Sequence, residues 1–327
     1  MKFTTRKFSR KSKPGFGFGY IPSGFFSFPP SRFVPRQLGF RRAEPKVYGN
    51  IGDLEVRLAT TRVDIRRAQK LRYRVFYREM SAIANASTVM TGRDVDEYDP
   101  ICDHLLVVDK GNQAKTLKTL KKRPWPKRSR VVGTYRLLRQ EVAELYNGFY
   151  TQSEFDIASL IEKKGSDYKF LELGRSCVLK PFRTKRTVEL LWQGIWNYVH
   201  EHGDNVLIGC ASFPGTDPKQ HELALSFLHH NALAPEEWRV RAHDNLRIDM
   251  NMLPKSELDM RKALRAMPPL IKGYLRLGAY FGDGAVIDHQ FGTTDVLIIM
   301  PMEVMDSRYR SHFGAKDEKA KPVSPDL

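Results

Sequence analysis

Apolar and polar residues begin to alternate near Tyr48, and residues 54–58, Leu-Glu-Val-Arg-Leu, are predicted to form the first strand. The sequence Thr61-Arg-Val-Asp64 matches a capping box, which marks the start of a helix. On that helix Arg72 falls on the same face as the apolar residues. A guanidinium on an apolar face requires an acidic partner. We expect that partner among the carboxylates of residues 91–103.

The same periodicities predict the remaining elements and an α/β sandwich built on a mixed sheet. Further strands are expected at residues 104–109, 130–138, 170–180, 206–211 and 294–300. Helices are expected at residues 155–162 with Ser153 as the N-cap, 188–199 with an end at Gly203, 219–230 and 256–266. An apolar stretch, Leu270 to Tyr280, precedes the last strand.

The chain is expected to divide into an arm, a folded domain and a tail. Residues 1–46 are rich in Phe, Gly, Pro, Ser and Arg without periodicity, which is typical of a mobile arm. Residues 47–304 carry the predicted elements, with residues 110–130 as a basic insertion loop between two strands of a hairpin. Residues 305–327 are expected to be a flexible tail.

The 327 residues carry a formal net charge of +17, which is concentrated in the arm and the insertion loop. Such segments either attract nucleic acid, an anionic bilayer or an acidic protein, or are simply solvated. The aromatic residues of the arm suit a membrane interface or single-stranded nucleic acid equally well. The sequence contains no apolar run of roughly 18 residues, so no membrane span is predicted. Gly and Pro interrupt residues 14–30, so no secretory signal is expected.

Cysteine usage indicates a reducing compartment and no metal centre. Cys102, Cys177 and Cys210 lie far apart in the sequence and form no CxxC pair, which argues against a disulfide framework. The histidines form neither an HExxH motif nor a cluster with cysteine. We therefore expect no metal site.

The segment Phe170-Leu-Glu-Leu-Gly-Arg-Ser-Cys-Val-Leu-Lys180 is the most informative part of the chain. Its pattern predicts a buried strand, yet it contains Glu172 and Arg175, and unpaired buried charge costs several kcal/mol. Gly174 inside a strand indicates a bulge or a close backbone approach. Charge and bulge together predict a reaction site.

Six short motifs follow one another along the predicted elements. They are Leu71-Arg-Tyr-Arg-Val-Phe76, Asp96-Glu-Tyr-Asp-Pro-Ile-Cys-Asp-His-Leu105, Val132-Gly-Thr-Tyr-Arg-Leu137, Glu172-Leu-Gly-Arg-Ser-Cys177, Gly209-Cys-Ala-Ser-Phe-Pro-Gly215 and Gly282-Asp-Gly-Ala-Val-Ile-Asp288. Together with the order of elements, they resemble the GNAT acyltransferase superfamily over roughly residues 54–301. Within it the chain is similar to acyl-homoserine-lactone synthases and, more closely, to the hemolysin-like ornithine N-acyltransferases of ornithine-lipid biosynthesis.

This resemblance implies a GNAT-like mixed twisted sheet flanked by helices, with a C-terminal extension of helices and strands. The implied activity is transfer of a (3-hydroxy)acyl chain from acyl carrier protein to the α-amine of L-ornithine, which gives lyso-ornithine lipid. The enzyme is expected in the cytoplasm, peripheral to the inner membrane. An anionic membrane surface is a candidate partner, through the basic arm and the apolar segment Met267–Phe281.

The resemblance implies catalytic roles for Glu172, Gly174 and Arg175. Acyl transfer to an amine requires a base, and burial among apolar neighbours gives Glu172 a raised pKa suited to that role. The alternative is that Glu172 only forms a salt bridge with Arg72, Arg136 or Arg175. Gly174 is expected to provide the bulge, so that the N–H of Arg175 or of a neighbour stabilises the oxyanion.

Substrate binding is implied for Arg72, Asp96, Asp99 and Arg136, which together with Arg175 correspond to the charged cluster of the lactone synthases. An arginine there would bind the α-carboxylate of the amino acid bidentately, and a carboxylate would bind the side-chain ammonium. The alternative is an architectural network of ion pairs.

The loop of residues 181–187 departs from the superfamily pattern, because it lacks the glycines that usually hold the pyrophosphate of coenzyme A. It carries Arg183, Lys185 and Arg186, which suit the single phosphate of a phosphopantetheine arm on an acidic carrier protein. The alternative is a solvated basic turn. No tightly bound cofactor is expected.

Two other functions remain open from the sequence alone. A signal synthase that lactonises an acylated amino acid is disfavoured by the additional sequence beyond residue 211. A non-enzymatic membrane- or nucleic-acid-binding protein would explain the arm and the insertion, but not the charged residues of the strand at 170–180. We therefore expect no nucleic acid partner.

Overall fold

A computed structural model of the chain describes residues 44–111 and 129–305. The predicted arm, the insertion loop and the tail lie almost wholly outside these described residues. The folded elements run from Val47 to Pro301, so the site that the sequence predicts lies within the described part of the chain.

Eight strands form one sheet in the order β1-β2-β3-β4-β5-β6-β8-β7. Their bounds are β1 Val47–Ile51, β2 Leu54–Leu58, β3 Asp103–Asp109, β4 Arg130–Arg139, β5 Phe170–Val178, β6 Val206–Pro214, β7 Tyr280–Asp288 and β8 Thr293–Pro301. Every neighbouring pair is antiparallel except β5 and β6, which are parallel. The sheet is therefore mixed, as predicted, with its parallel pair near the middle.

Eight α-helices accompany the sheet in the described residues. They are α1 Arg62–Phe76, α2 Ala86–Thr91, α3 Gln140–Glu144, α4 Ile157–Lys164, α5 Lys185–His202, α6 Glu222–Ala232, α7 Met260–Ala266 and α8 Pro269–Leu277. Short 3-10 helices lie at Tyr150–Ser153, Lys180–Phe182, Pro218–His221, Glu236–Trp238 and Lys255–Glu257.

Hydrophobic residues form a core on each face of the sheet, because successive strand residues point to opposite sides. One core takes Leu137 of β4, and the other takes the next residue, Leu138. Helices α1 and α5 pack on the first face, and the second is covered by α4 and by residues around Phe149 and Trp238. Glu172 lies on the second face, since it alternates with Leu171 and Leu173 of the first core.

Caps and glycines account for several predicted boundaries. The Thr61 side chain accepts the N–H of Asp64 and begins α1, as the capping box predicts. Gly203 ends α5 in the left-handed conformation with φ of 70°, also as predicted. The prediction of Ser153 as the N-cap of α4 was wrong. Asp156 is the N-cap, because its side chain accepts the N–H of Ser159, and the helix begins later than residue 155.

Five elements were not predicted, namely β1, β7, α2, α3 and α8. The segment Met267–Phe281, a candidate for membrane contact, lies largely in the first core. Met267, Ile271 and Phe281 are buried there, and Leu270 and Leu275 are partly buried. None of the described helices combines the length and apolar character needed to cross a bilayer.

Candidate active site

Strands β5 and β6 pair for only three residues and then separate. The paired positions run from Phe170 with Val206 to Glu172 with Ile208. Beyond this point β5 also bulges against β4, because Arg136 pairs with Gly174 and Thr134 with Cys177. Two residues of β5 thus oppose one of β4, which bends the strand and opens the sheet next to Glu172.

The bulge is present, but its left-handed residue is Arg175 rather than Gly174. Arg175 has φ of 49°, one of two positive values among the described non-glycine residues. Gly174 is not among the glycines with positive φ. Such a conformation in a non-glycine residue costs about 1–3 kcal/mol and persists only where the surroundings enforce it. The surroundings here are the ion pairs of the Arg175 side chain.

Glu172 is buried, and its carboxylate accepts three hydrogen bonds from the 3-10 helix beside it. The donors are the backbone N–H of Tyr150 at 3.1 Å, the backbone N–H of Thr151 at 2.7 Å and the hydroxyl of Thr151. Among the described residues, no arginine forms an ion pair with Glu172. Burial raises the pKa of Glu172, while the Thr151 hydrogen bonds act in the opposite direction.

Arg72 is fully buried and has the acidic partners that the sequence predicts. Its Nε lies 2.7 Å from Asp94 Oδ2, and its Nη2 lies 2.7 Å from Asp99 Oδ2. Burial alone raises the pKa of Asp99, but the hydrogen bond and charge of Arg72 outweigh it and hold that pKa below its usual value. The pairing of Arg72 with this acidic segment is confirmed.

Arg136 and Arg175 complete a cluster of three arginines and three aspartates, which we call the ion-pair cluster: Arg72, Arg136, Arg175, Asp94, Asp96 and Asp99. Arg136 pairs with Asp96 and reaches Asp99 at 3.4 Å. Arg175 Nη2 lies 3.1 Å from Asp96 Oδ2. The charges in the cluster balance, so its members neutralise one another.

Arg175 and Asp96 form the exposed edge of the ion-pair cluster. Their side chains are 12% and 20% exposed, whereas that of Arg72 is 0% exposed. The guanidinium carbon of Arg175 lies 4.8 Å from the ring centre of Tyr150 and 4.6 Å from that of Phe291. These rings stack on the cation and fix its position.

A second acidic group lies on the same face of the sheet as Glu172. Glu154, Cys210 and Asp295 bring two carboxylates and a thiol within 4.8 Å of one another. The Cys210 thiol donates to Glu154 Oε2 at 3.2 Å, and its sulfur lies 3.9 Å from Thr151 Oγ1. The group is therefore joined to Glu172 through a single residue, Thr151.

The three basic residues of the loop at 181–187 are not equivalent. Arg183 pairs with Glu79 at 2.5 Å and donates to the Val178 carbonyl, so its charge is already neutralised. Lys185 and Arg186 are exposed at the start of α5, where they line a cleft of about 680 Å³ together with the β1–β2 turn. The helix begins at the Thr184 cap.

Residues 71–193 match the family model described as Acetyltransferase (GNAT) domain. The L-ornithine N(alpha)-acyltransferase of Agrobacterium fabrum (strain C58 / ATCC 33970) is 52% identical over 273 residues, 84% of this chain and 89% of the relative. The protein of the same name from Rhizobium meliloti (strain 1021) is 49% identical over 279 residues, 85% of this chain and 90% of that relative.

The chain belongs to the L-ornithine N(alpha)-acyltransferase family. The predicted resemblance is thereby confirmed, and so is the predicted GNAT-like fold. Among solved structures, FeeM, an N-acyl amino acid synthase from uncultured soil microbes, is 10% identical and has a TM-score of 0.41, covering 79% of this chain and 92% of that one.

The sequence analysis did not identify several residues of the site. Tyr150, Thr151 and Glu154 lie in an irregular segment without periodicity, so no pattern marks them. Cys210 looks like ordinary strand packing. Asp295 did leave a signal, because it places a carboxylate directly before the apolar residues 296–300 of strand β8.

Proposed function

We propose that this protein is an N-acyltransferase that moves a (3-hydroxy)acyl chain from acyl carrier protein to the α-amine of L-ornithine. The product is lyso-ornithine lipid. The observation that carries the acceptor and the reaction is 52% identity to a protein named L-ornithine N(alpha)-acyltransferase, over 89% of that relative. The buried carboxylate beside the bulge supplies a chemical rationale for the same reaction.

Glu172 serves as the base, through the hydroxyl of Thr151. The amine nitrogen attacks the thioester carbonyl, the C–N bond forms and the C–S bond breaks. The proton of the amine passes to Thr151 Oγ1 as the hydroxyl proton moves to Glu172 Oε1, and the thiolate leaves. Because Thr151 Oγ1 already donates to Glu172, this relay needs no movement of the buried carboxylate.

The bulge stabilises the negative charge that develops on the carbonyl oxygen. Arg175 and Ser176 together oppose Tyr135, so the regular ladder of hydrogen bonds is interrupted there. A backbone N–H at this position would point to the oxyanion, and removing such a donor typically costs about 3–4 kcal/mol in the transition state. The ion pairs of the Arg175 side chain hold the strained backbone in place.

The ion-pair cluster binds the α-carboxylate of the amino acid at its exposed edge. Arg175 is the arginine of the cluster that reaches this edge, with Asp96 beside it. Arg72, Arg136 and Asp99 position that edge from within, since their side chains are at most 4% exposed. A bidentate contact between guanidinium and carboxylate orients the amine toward the thioester.

The acyl donor is a carrier protein that docks beside the start of α5. Lys185 and Arg186 line the cleft there together with Asp53 and Asp109. Both basic side chains are exposed and form no ion pair within the described residues, so they are free to meet an acidic carrier protein. The loop has no glycine to cradle a pyrophosphate, which favours a phosphopantetheine arm over free coenzyme A. The free cysteines Cys102, Cys177 and Cys210 suit a reducing cytoplasm. The product is released at the surface of the inner membrane.

The test is a competition between donors and acceptors, read by product mass. The protein is incubated with 3-hydroxyacyl carrier protein or the matching coenzyme A thioester, and with ornithine, lysine, glutamine or homoserine. We expect N-acylornithine from the carrier-protein donor. A lactone product, or transfer from coenzyme A alone, would contradict the proposal.

A further inference from the structure

Asp295 and Glu154 form an acidic group whose charge the described structure does not balance. Asp295 is 7% exposed, and its Oδ1 atom is buried and accepts no hydrogen bond. Within residues 44–111 and 129–305, no lysine or arginine nitrogen forms an ion pair with Glu154 or Asp295. From the described residues the Glu154 carboxylate accepts one weak hydrogen bond, that of the Cys210 thiol.

Of the ion-pair cluster, the charge of Arg175 acts favourably on both carboxylates, but among the described residues Arg175 forms no ion pair with either of them. The arginines of the cluster are matched by its own aspartates, and Arg175 keeps its contacts with Asp94 and Asp96. Asp288 adds a further negative charge near Glu154 and Asp295. Burial of carboxylates without a partner costs several kcal/mol, so this arrangement indicates a cationic ligand.

The titration of the two carboxylates agrees with that geometry. Burial, followed by repulsion from Asp295, raises the pKa of Glu154 to about 7. Burial raises the pKa of Asp295 to about 6, although hydroxyls of Thr293 and Ser212 act in the opposite direction. A bound cation would reverse both shifts.

We propose that Glu154 and Asp295 bind the side-chain ammonium of the amino-acid acceptor and so select ornithine among amino acids. This inference rests on the proposed function. The acidic group borders Thr151, because Cys210 lies 3.9 Å from the Thr151 hydroxyl. A diamino acid therefore spans the site with its α-carboxylate at Arg175, its α-amine at Thr151 and its terminal ammonium at Asp295.

An ammonium fits this group better than a metal ion does. A metal would require Cys210 as a thiolate. The Cys210 thiol instead donates its hydrogen to Glu154, and burial followed by repulsion from Glu154 raises its pKa well above the usual value. An ammonium needs only acceptors, which the two carboxylates provide.

The test compares ornithine with norvaline, which has the same carbon skeleton but no terminal amine. Wild-type protein should prefer ornithine by at least about 100-fold in kcat/KM, since a buried carboxylate left unpaired penalises the neutral analogue. Asp295→Asn and Glu154→Gln should each reduce that preference at least about 10-fold, by raising KM for ornithine and by relieving the penalty on norvaline. Glu236→Gln, which alters a carboxylate that is 93% exposed, is the matched control.

Each outcome separates this inference from the proposed function. If wild-type protein acylates no amino acid, the proposed function fails. If it acylates ornithine but both variants keep the wild-type preference, the ammonium site is refuted. Should either variant fail to fold, calorimetric titration of wild-type protein decides: ornithine must bind more tightly than norvaline. Stoichiometric zinc binding that is lost in Asp295→Asn and required for turnover would assign the group to a metal instead.

Discussion

The carboxylate of Glu172 accepts the backbone N–H of Thr151 at 2.7 Å and the hydroxyl hydrogen of the same residue. This double contact ties strand β5 to the 3-10 helix Tyr150–Ser153, which comes 21 residues earlier in the chain. In the proposed mechanism the amine proton reaches the carboxylate through the Thr151 hydroxyl, because the hydrogen bond from that hydroxyl to Glu172 is already in place.

Replacing Thr151 by valine should lower kcat by about 100-fold and leave KM for ornithine nearly unchanged. Valine has a similar shape but no hydroxyl, so the relay is broken while the backbone N–H still reaches Glu172. The loss of one hydrogen bond to a buried carboxylate should also cost about 1–3 kcal/mol of stability. Steady-state kinetics and urea denaturation measure the two effects.

Thr151→Ser is the matched control, because serine keeps the hydroxyl and should retain most of the activity. Equal activity of the valine and serine variants would contradict the relay. Glu172→Gln tests the relay less directly. Its amide NH2 would face the Tyr150 N–H, and two donors cannot form a hydrogen bond, so the variant would also lose stability.

Replacing Arg72 by methionine should lower the free energy of unfolding by about 3–5 kcal/mol, because Asp94 and Asp99 are left buried without their cation. Arg67→Met on the same helix should cost less than about 1 kcal/mol, since the Arg67 side chain is 41% exposed. Chemical denaturation of both variants tests the difference. Similar losses in the two would show that the ion-pair cluster does not stabilise the fold.

Glu154→Gln should make the protein more stable than wild type at pH 8, by about 1–2 kcal/mol, and leave stability unchanged below the unfolded pKa of 4.5. The ordinary pKa of 4.5 rises to about 7 in the folded protein, chiefly through burial. Between these values the folded state holds the proton more tightly than the unfolded state, so wild-type stability falls as pH rises. Denaturation midpoints across pH 4.5 to about 8 record the effect. A variant that is less stable at pH 8 would contradict it.

Charge reversal at the start of α5 should weaken use of the carrier-protein donor. Lys185→Glu with Arg186→Glu is expected to raise KM for acyl carrier protein about 10-fold at low salt and to spare a small acyl-pantetheine donor. Acidic residues are favourable in a first helical turn, so folding should not suffer. The same reversal at Arg261 and Arg265 on α7 serves as the control. An equal effect on both donors would place carrier recognition elsewhere.

Several features that depend on local sequence pattern, such as helix ends and buried strands, were predicted correctly. The Thr61 cap, the end of α5 at Gly203 and the strand that holds Glu172 all follow from periodicity and side-chain type. The bulge followed from a glycine within that strand, although the strain falls on Arg175. The conformation of Arg175 depends on its ion pairs with Asp94 and Asp96, which are distant in sequence.

The hydrogen-bond partners of Glu172 were not predictable either, because they too are distant from it in the sequence. Arginines were the partners considered in the alternative interpretation of Glu172, because they commonly pair with buried carboxylates. The backbone N–H groups of Tyr150 and Thr151 take that role instead. Backbone donors leave no trace in residue identity, so only the folded chain reveals them.

The most direct measurement of the central claim is the position of the acyl group on the product. Wild-type protein, 3-hydroxyacyl carrier protein and ornithine are incubated together, and the product is fragmented in a mass spectrometer. Our account predicts a single amide at the α-nitrogen, with the terminal amine free. Acylation of the terminal amine, or release of free fatty acid without an ornithine product, would contradict it.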